Sequence, residues 1–90
     1  MYINKLEWDD YRIKHIAQHN VEPHEVWEIC EDQLHLAHRE GYNRYRLYGQ
    51  TVEVRYLFIV LEQVKKMVYK SITARDMTDN EKRNYGRLRK

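Results

Sequence analysis

The apolar positions change period along the chain, and those changes divide it into elements. From Glu53 to Met77 the sequence reads EVRYLFIVLEQVKKMVYKSITARDM. An unbroken apolar run from Tyr56 to Leu61, a charged turn at Glu62 to Lys66 and a second β-rich run from Met67 to Ala74 predict a hairpin. Both faces of its first strand are apolar, which predicts a central place in a sheet. Upstream, Asn43 to Tyr48 alternates with period two, putting Tyr45 and Leu47 on one face and Arg44, Arg46 and Tyr48 on the other. Gly41 and Asn43 mark the turn before this strand and Gly49 and Thr51 the turn after it. Leu34 to Ala37 is a short candidate strand, and Tyr2 to Trp8 carries a weak extended signal.

Helical spacing governs the rest. Asp9 or Asp10 caps a helix running to about Gln18, with Ile13, Ile16 and Ala17 toward the sheet and Trp8, Arg12, His15 and His19 on an adjacent stripe. A second helix starts at Val21-Glu22-Pro23, with Pro23 at the first helical position and Val21 stapled onto Val26. Val26, Ile29 and Cys30 form its buried side, and Glu22, Glu25, Glu28, Glu31 and Asp32 its acidic exterior. Thr78-Asp79-Asn80-Glu81 fits a capping box and predicts a short helix to about Leu88. Tyr85 and Leu88 dock it, leaving Lys82, Arg83, Arg87, Arg89 and Lys90 exposed. The expected class is α+β, with two N-terminal helices, an antiparallel sheet of three to four strands and a short C-terminal helix, in one domain spanning 1–90.

Composition changes this picture in two places. Cys30 is the one cysteine, so no internal disulfide forms, and no apolar leader or span of membrane length is present, which leads us to expect a reduced, cytoplasmic protein with no membrane partner. The net charge of +2 hides an asymmetry: residues 1–43 hold four Lys/Arg against nine Asp/Glu, and residues 44–90 twelve against five, so the halves carry −5 and +7. A basic sheet-and-tail half suits polyanions, and it also suits strands that use Lys and Arg to prevent edge pairing. Charge does not separate the two.

The candidate chemistry is cationic. Arg55 and Arg75 stand at the two ends of the hairpin, which predicts both guanidinium groups at one mouth of the sheet, where their forks suit phosphate. The row Arg44, Arg46 and Tyr48 suits phosphates and stacked bases, or is the wet side of the sheet. His15 and His19 suit proton transfer, a phosphate contact or half of a metal site, or are ordinary boundary residues. With only these two at helical spacing, and His24, His35, His38 and Cys30 matching no metal spacing, no metal or cofactor is expected. Cys30 reads as a core residue without an activating histidine.

The run Glu7-Trp8-Asp9 with His15-Ile16-Ala17-Gln18-His19-Asn20-Val21-Glu22-Pro23, then Arg44-Tyr45, Gly49-Gln50-Thr51, Arg55-Tyr56-Leu57, Ile72-Thr73-Ala74-Arg75-Asp76-Met77 and Glu81-Lys82-Arg83-Asn84-Tyr85, resembles the BrnT family of toxins. The resemblance covers nearly the whole chain in order and spacing. Asn20 stands where the family usually has Gly, and Asn is the residue next best suited to a left-handed helix cap.

The resemblance implies a RelE-like fold and a metal-independent ribonuclease that inhibits translation. It also implies a cognate BrnA-like ribbon-helix-helix antitoxin, with operator DNA reached only through the antitoxin complex. In such chemistry the RNA 2′-hydroxyl attacks the phosphodiester, and the protein moves protons and stabilises charge. On this basis Arg75, Arg55, His19 and His15 are the expected catalytic set. Arg44, Arg46, Tyr48, Lys82, Arg83 and Tyr85 are the expected RNA contacts, with Tyr85 equally suited to packing; Glu81 is another candidate base, and its capping role explains it without catalysis. The alternatives are nucleic-acid binding without cleavage, and a corepressor or antitoxin-interaction role.

Overall fold

A computed structural model describes residues 1–88, so Arg89 and Lys90, expected as exposed basic positions, lie outside the described residues. The elements in order are β1 (Lys5–Glu7), α1 (Asp10–Ala17), α2 (Pro23–Glu31), β2 (Leu36–Glu40), β3 (Arg44–Gln50), β4 (Tyr56–Lys65), β5 (Val68–Asp76) and α3 (Asp79–Leu88). The strands form one five-stranded sheet in the order β1-β5-β4-β3-β2, with β4 central as its two apolar faces require. The sheet is larger than the three to four antiparallel strands expected, and it is mixed. The weak N-terminal segment becomes β1 by pairing parallel to β5, with Leu6 opposite Tyr69. Three residues have too few alternating positions to announce themselves; the exposed backbone edge of β5 supplies the order.

The hairpin also runs further than its polarity suggests. Glu62 to Lys65, expected as a turn, continue β4, because Glu62 lies between Arg44 and Lys70 on the neighbouring strands, 3.4 Å from each. The reversal falls at Lys66-Met67, with Met67 in the left-handed region at φ 61°. Farther along, Val60 pairs with Thr73 and Leu61 with Ser71, so Ile72 is the extra residue of a bulge. The bulge resets the alternation of β5, so Lys70 and Arg75 face the same way although their numbers differ by an odd count.

The helices cover one face of the sheet. Asp9 caps α1 by accepting from Arg12 N at 2.8 Å. Asn20, at φ 58°, reverses the chain so that Val21 N donates to Ile16 O at 3.2 Å, the left-handed cap foreseen for it. Pro23 opens α2 inside a capping box of Glu22 and Glu25. Beneath the two helices Ile16, Val26, Ile29, Leu47, Leu57, Ile59 and Leu61 are fully buried in one cluster. Each contributes about 1.5–3 kcal/mol of transfer free energy. Ile13 and Ala17 are exposed instead of facing the sheet, and Arg12 from the neighbouring stripe reaches Ser71 O at 3.4 Å. Gly49 lets α2 come close: a Cβ there would lie 3.0 Å from Ile29 Cγ2.

Across the sheet, α3 packs over one end only. Its capping box is complete, with Glu81 N donating to Thr78 Oγ1 at 3.2 Å and Thr78 N to Glu81 Oε1 at 2.9 Å. Tyr85, 2% exposed, joins Phe58 and Met77 in a small second cluster. Among the described residues no helix is long and apolar enough to cross a membrane.

Candidate nucleic-acid interface

The two hairpin arginines come to the same end of the sheet and part there. Leu57 pairs with Asp76 and Phe58 with Arg75, so adjacent residues of β5 point to opposite faces. Arg75 lies on the open face, its guanidinium 4.3 Å over the Phe58 ring. Arg55 turns under the helices. The expectation of two guanidinium groups converging at one mouth is therefore corrected: strand alternation separates them, and the backbone of β4 and β5 stands between.

Arg55 is consumed by structure. It donates to Asp76 Oδ1 at 2.8 Å, to Glu25 Oε1 at 3.0 Å, to Asn20 O at 2.6 Å and to His19 O at 3.2 Å. These bonds pin the α1–α2 turn and the first turn of α2 to the sheet, so Glu25 is part of a clamp and not of an acidic exterior. The Arg55 bond holds the Asp76 carboxyl below the ordinary carboxylate value. Glu28 and Asp32 are likewise engaged, accepting from Val52 N at 3.0 Å and from Gln50 N at 3.0 Å.

The imidazoles of His15 and His19 also sit on the helical side. They line α1, with Tyr11 stacked on His15 at 6.2 Å between ring centres and His15 edge-on to His19 at 6.4 Å. Helix and sheet separate them from Arg75. The expected catalytic set of Arg75, Arg55, His19 and His15 is thus divided between two faces, Arg75 on the open one and the other three on the helical one.

The open face gathers most of the other residues expected to meet RNA. Cross-strand rows place Leu36, Tyr48, Phe58 and Arg75 together, then His38, Arg46, Val60 and Thr73, then Glu40, Arg44, Glu62 and Lys70. The cations are matched by carboxylates. Glu81 takes Arg75 in a fork, at 2.8 and 3.2 Å, and this bond holds the Glu81 carboxyl below its ordinary value while raising that of Arg75. Arg44 faces Glu62 at 3.4 Å. Arg46 Nε lies 3.2 Å from Glu40 Oε2 but off the N–H axis, so the contact is coulombic and that buried N–H has no aligned acceptor. Tyr48 leans on Phe58 with ring centres 5.1 Å apart.

Between this face and α3 lies a cavity of about 170 Å³, lined by Leu36, His38, Arg46, Tyr48, Glu81, Asn84, Tyr85 and Leu88. The α3 residues at the cavity are Glu81, Asn84, Tyr85 and Leu88, one helical stripe; Lys82 and Arg83 are exposed and line none of it. Both are exposed, as expected, on the side of α3 away from the cavity lining. Tyr85 walls the cavity with its ring, and its hydroxyl donates to Asp32 Oδ2 at 3.4 Å. The ring packs with Phe58 and Met77.

His38 is the cavity residue that sequence reasoning weighed only as a metal ligand. The signal was available: the alternation of Leu36, His38 and Glu40, paired to the Arg46 and Tyr48 face, brings it here. A larger recess of about 560 Å³ lies by Trp27, Cys30, Glu31 and Asp32; no Lys or Arg lines it, and its two carboxylates disfavour a phosphate. Burial pushes the Cys30 thiol up to about 12, which removes it as a nucleophile near neutrality. Among the described residues no group of three His, Cys, Asp or Glu side chains converges where a metal ion would sit.

No protein-family model matches the chain, and no curated protein matches it. Among solved structures it is similar to the Brucella abortus ribonuclease toxin BrnT, seen in a crystal structure at 1.1 Å resolution, with a TM-score of 0.67 and 14% sequence identity over 83% of this chain and 97% of that one. The fold is BrnT-like.

Proposed function

We propose that this chain is the toxin of a type II toxin–antitoxin system and cleaves single-stranded RNA on the open face of its sheet. The carrying observation is the cationic face that α3 half covers, with a cavity at the junction, on a fold shared with a ribonuclease toxin. The attacking group is the 2′-hydroxyl of the RNA, so the protein's tasks are positioning, proton transfer and charge stabilisation. Arg46 serves the phosphate at the cavity. Arg75, two strand spacings away, about 10 Å across the sheet, holds a neighbouring phosphate of the same strand. Tyr48 offers its ring to a base. Arg44 extends the cationic track. Translation inhibition follows from loss of RNA, and a ribbon-helix-helix antitoxin neutralises the toxin by covering this face, bringing operator DNA only through that complex.

Arg75→Ala is the test, made beside a circular-dichroism check that the α3 capping box keeps the variant folded. RNA cleavage and growth arrest are expected to fall about a hundredfold, the loss that follows when the reacting strand is mispositioned. Cleavage at the wild-type rate would exclude Arg75 from the mechanism.

A second reading has its own observation: the cations of the open face already meet carboxylates, as a surface would that binds RNA without reacting on it. Intact RNA on a gel after a mobility shift with wild-type protein selects that reading.

A further inference from the structure

Cleavage by a 2′-hydroxyl needs a base, and the two imidazoles expected to supply one lie beneath the sheet. We propose that His38 is the catalytic base, accepting the 2′-hydroxyl proton while Arg46 stabilises the phosphate; this rests on the ribonuclease reading above. His38 and Arg46 are direct cross-strand partners on the open face, and such pairs hold their Cβ atoms about 5 Å apart. One phosphodiester then reaches both groups.

The environment singles out this imidazole. Among the described residues His38 has one ring contact, edge-on to Tyr48 at 6.1 Å between centres, and no hydrogen bond commits its nitrogens. His35, by contrast, has Nδ1 3.0 Å from Ile29 O, and burial lowers its pKa. His24 lies 3.8 Å from Glu22. The other base at the cavity is Glu81, and its fork to Arg75 makes it a weak acceptor. The groups facing His38 are Arg46 and Tyr48 from β3, Glu40 from its own strand and Glu81 from α3.

The step balances without a co-reactant. The 2′-oxygen bonds to phosphorus as its proton passes to an His38 nitrogen, and the bond from phosphorus to the 5′-oxygen breaks. The departing 5′-oxygen takes a proton from water at the open side, and His38 later returns its own to solvent. The products are a 2′,3′-cyclic phosphate and a 5′-hydroxyl.

The test uses the whole chain and a single-stranded RNA oligonucleotide. His38→Ala is expected to lower kcat by about 10² to 10⁴ while KM changes less than about threefold, and to abolish the acid limb of the pH–rate profile. Added imidazole is expected to restore part of the rate in His38→Ala, which it cannot do for a residue that only packs. Wild-type cleavage with an unchanged rate and acid limb in His38→Ala would overturn the assignment and leave the ribonuclease reading standing. Absence of cleavage by wild-type protein would overturn both.

Discussion

The two faces of the sheet are built from the same residue types and put them to different use. On the helical face Arg55 meets two carboxylates and two carbonyls, and the chain folds around it. On the open face Arg75 meets one carboxylate of a short helix that covers only one end of the sheet, and the carbonyl of its own neighbour Asp76 at 3.0 Å, with a cavity beside it. An arginine whose donors converge on backbone and side chains from separate elements is a fastener. One sharing a single carboxylate at a solvent boundary has an anion site that a phosphate can contest. The setting, and not the residue, distinguishes a structural cation from a binding one.

The largest expected effect tests the fastener. Arg55→Ala removes the cation beside Glu25, whose side chain is 16% exposed, leaving it the Glu22 N–H of the capping box, and frees the carbonyls of His19 and Asn20. Breaking a buried ion pair costs about 3–5 kcal/mol; with Arg55 25% and Asp76 61% exposed, about 2–3 kcal/mol is expected in urea unfolding at neutral pH. Arg55→Lys recovers only part, because a point charge cannot serve all four acceptors. A loss under about 0.5 kcal/mol would erase the contrast between the faces.

How far this contrast was legible in the sequence depends on the scale of the signal. The central strand, the Arg44–Arg46–Tyr48 face, the Pro23 start and the Thr78–Glu81 box rest on neighbours within a few positions, and each appears where its spacing places it. The BrnT-like fold also agrees with the motif order. Pairing over long separations was hidden. The parallel strand β1 and the bulge at Ile72 depend on partners more than ten residues away. So does the separation of Arg55 from Arg75: parity along a strand assigns a face only once the strand's limits are known. Here Arg55 precedes β4 and Arg75 follows the bulge. For His38, the strand that carries it was placed too early, at Leu34 to Ala37, which left the residue outside any element.

A smaller effect sharpens the open side of the comparison. Glu81 is held below its ordinary carboxyl value of 4.5 chiefly by Arg75, and Asp76 below 3.8 chiefly by Arg55. A carboxyl depressed in the folded state contributes stability that is complete above its unfolded pKa and is lost as pH falls through the folded one. Thermal melting is therefore expected to hold near neutrality and decline below about pH 4.5. Glu81→Gln removes one of the two linked groups, so its decline is expected to be shallower, beginning from a stability about 1–2 kcal/mol lower at pH 7. Parallel curves for variant and wild type would mean that the Arg75–Glu81 fork is energetically silent.

The smallest expected effect is the one the sequence argues most strongly against. His15 and His19 lie one helical turn apart, in the segment resembling a toxin motif, and invite a catalytic role. Yet what His19 gives to the fold is its carbonyl, to Arg55, and its ring lies along α1 beside His15. Any residue keeps that carbonyl. His15→Gln with His19→Gln is therefore expected to leave RNA cleavage within about twofold of wild type, since surface changes away from packing and site cost under about 0.5 kcal/mol. A hundredfold loss in that double variant would carry the chemistry to the helical face and, with it, the meaning of the Arg55 clamp.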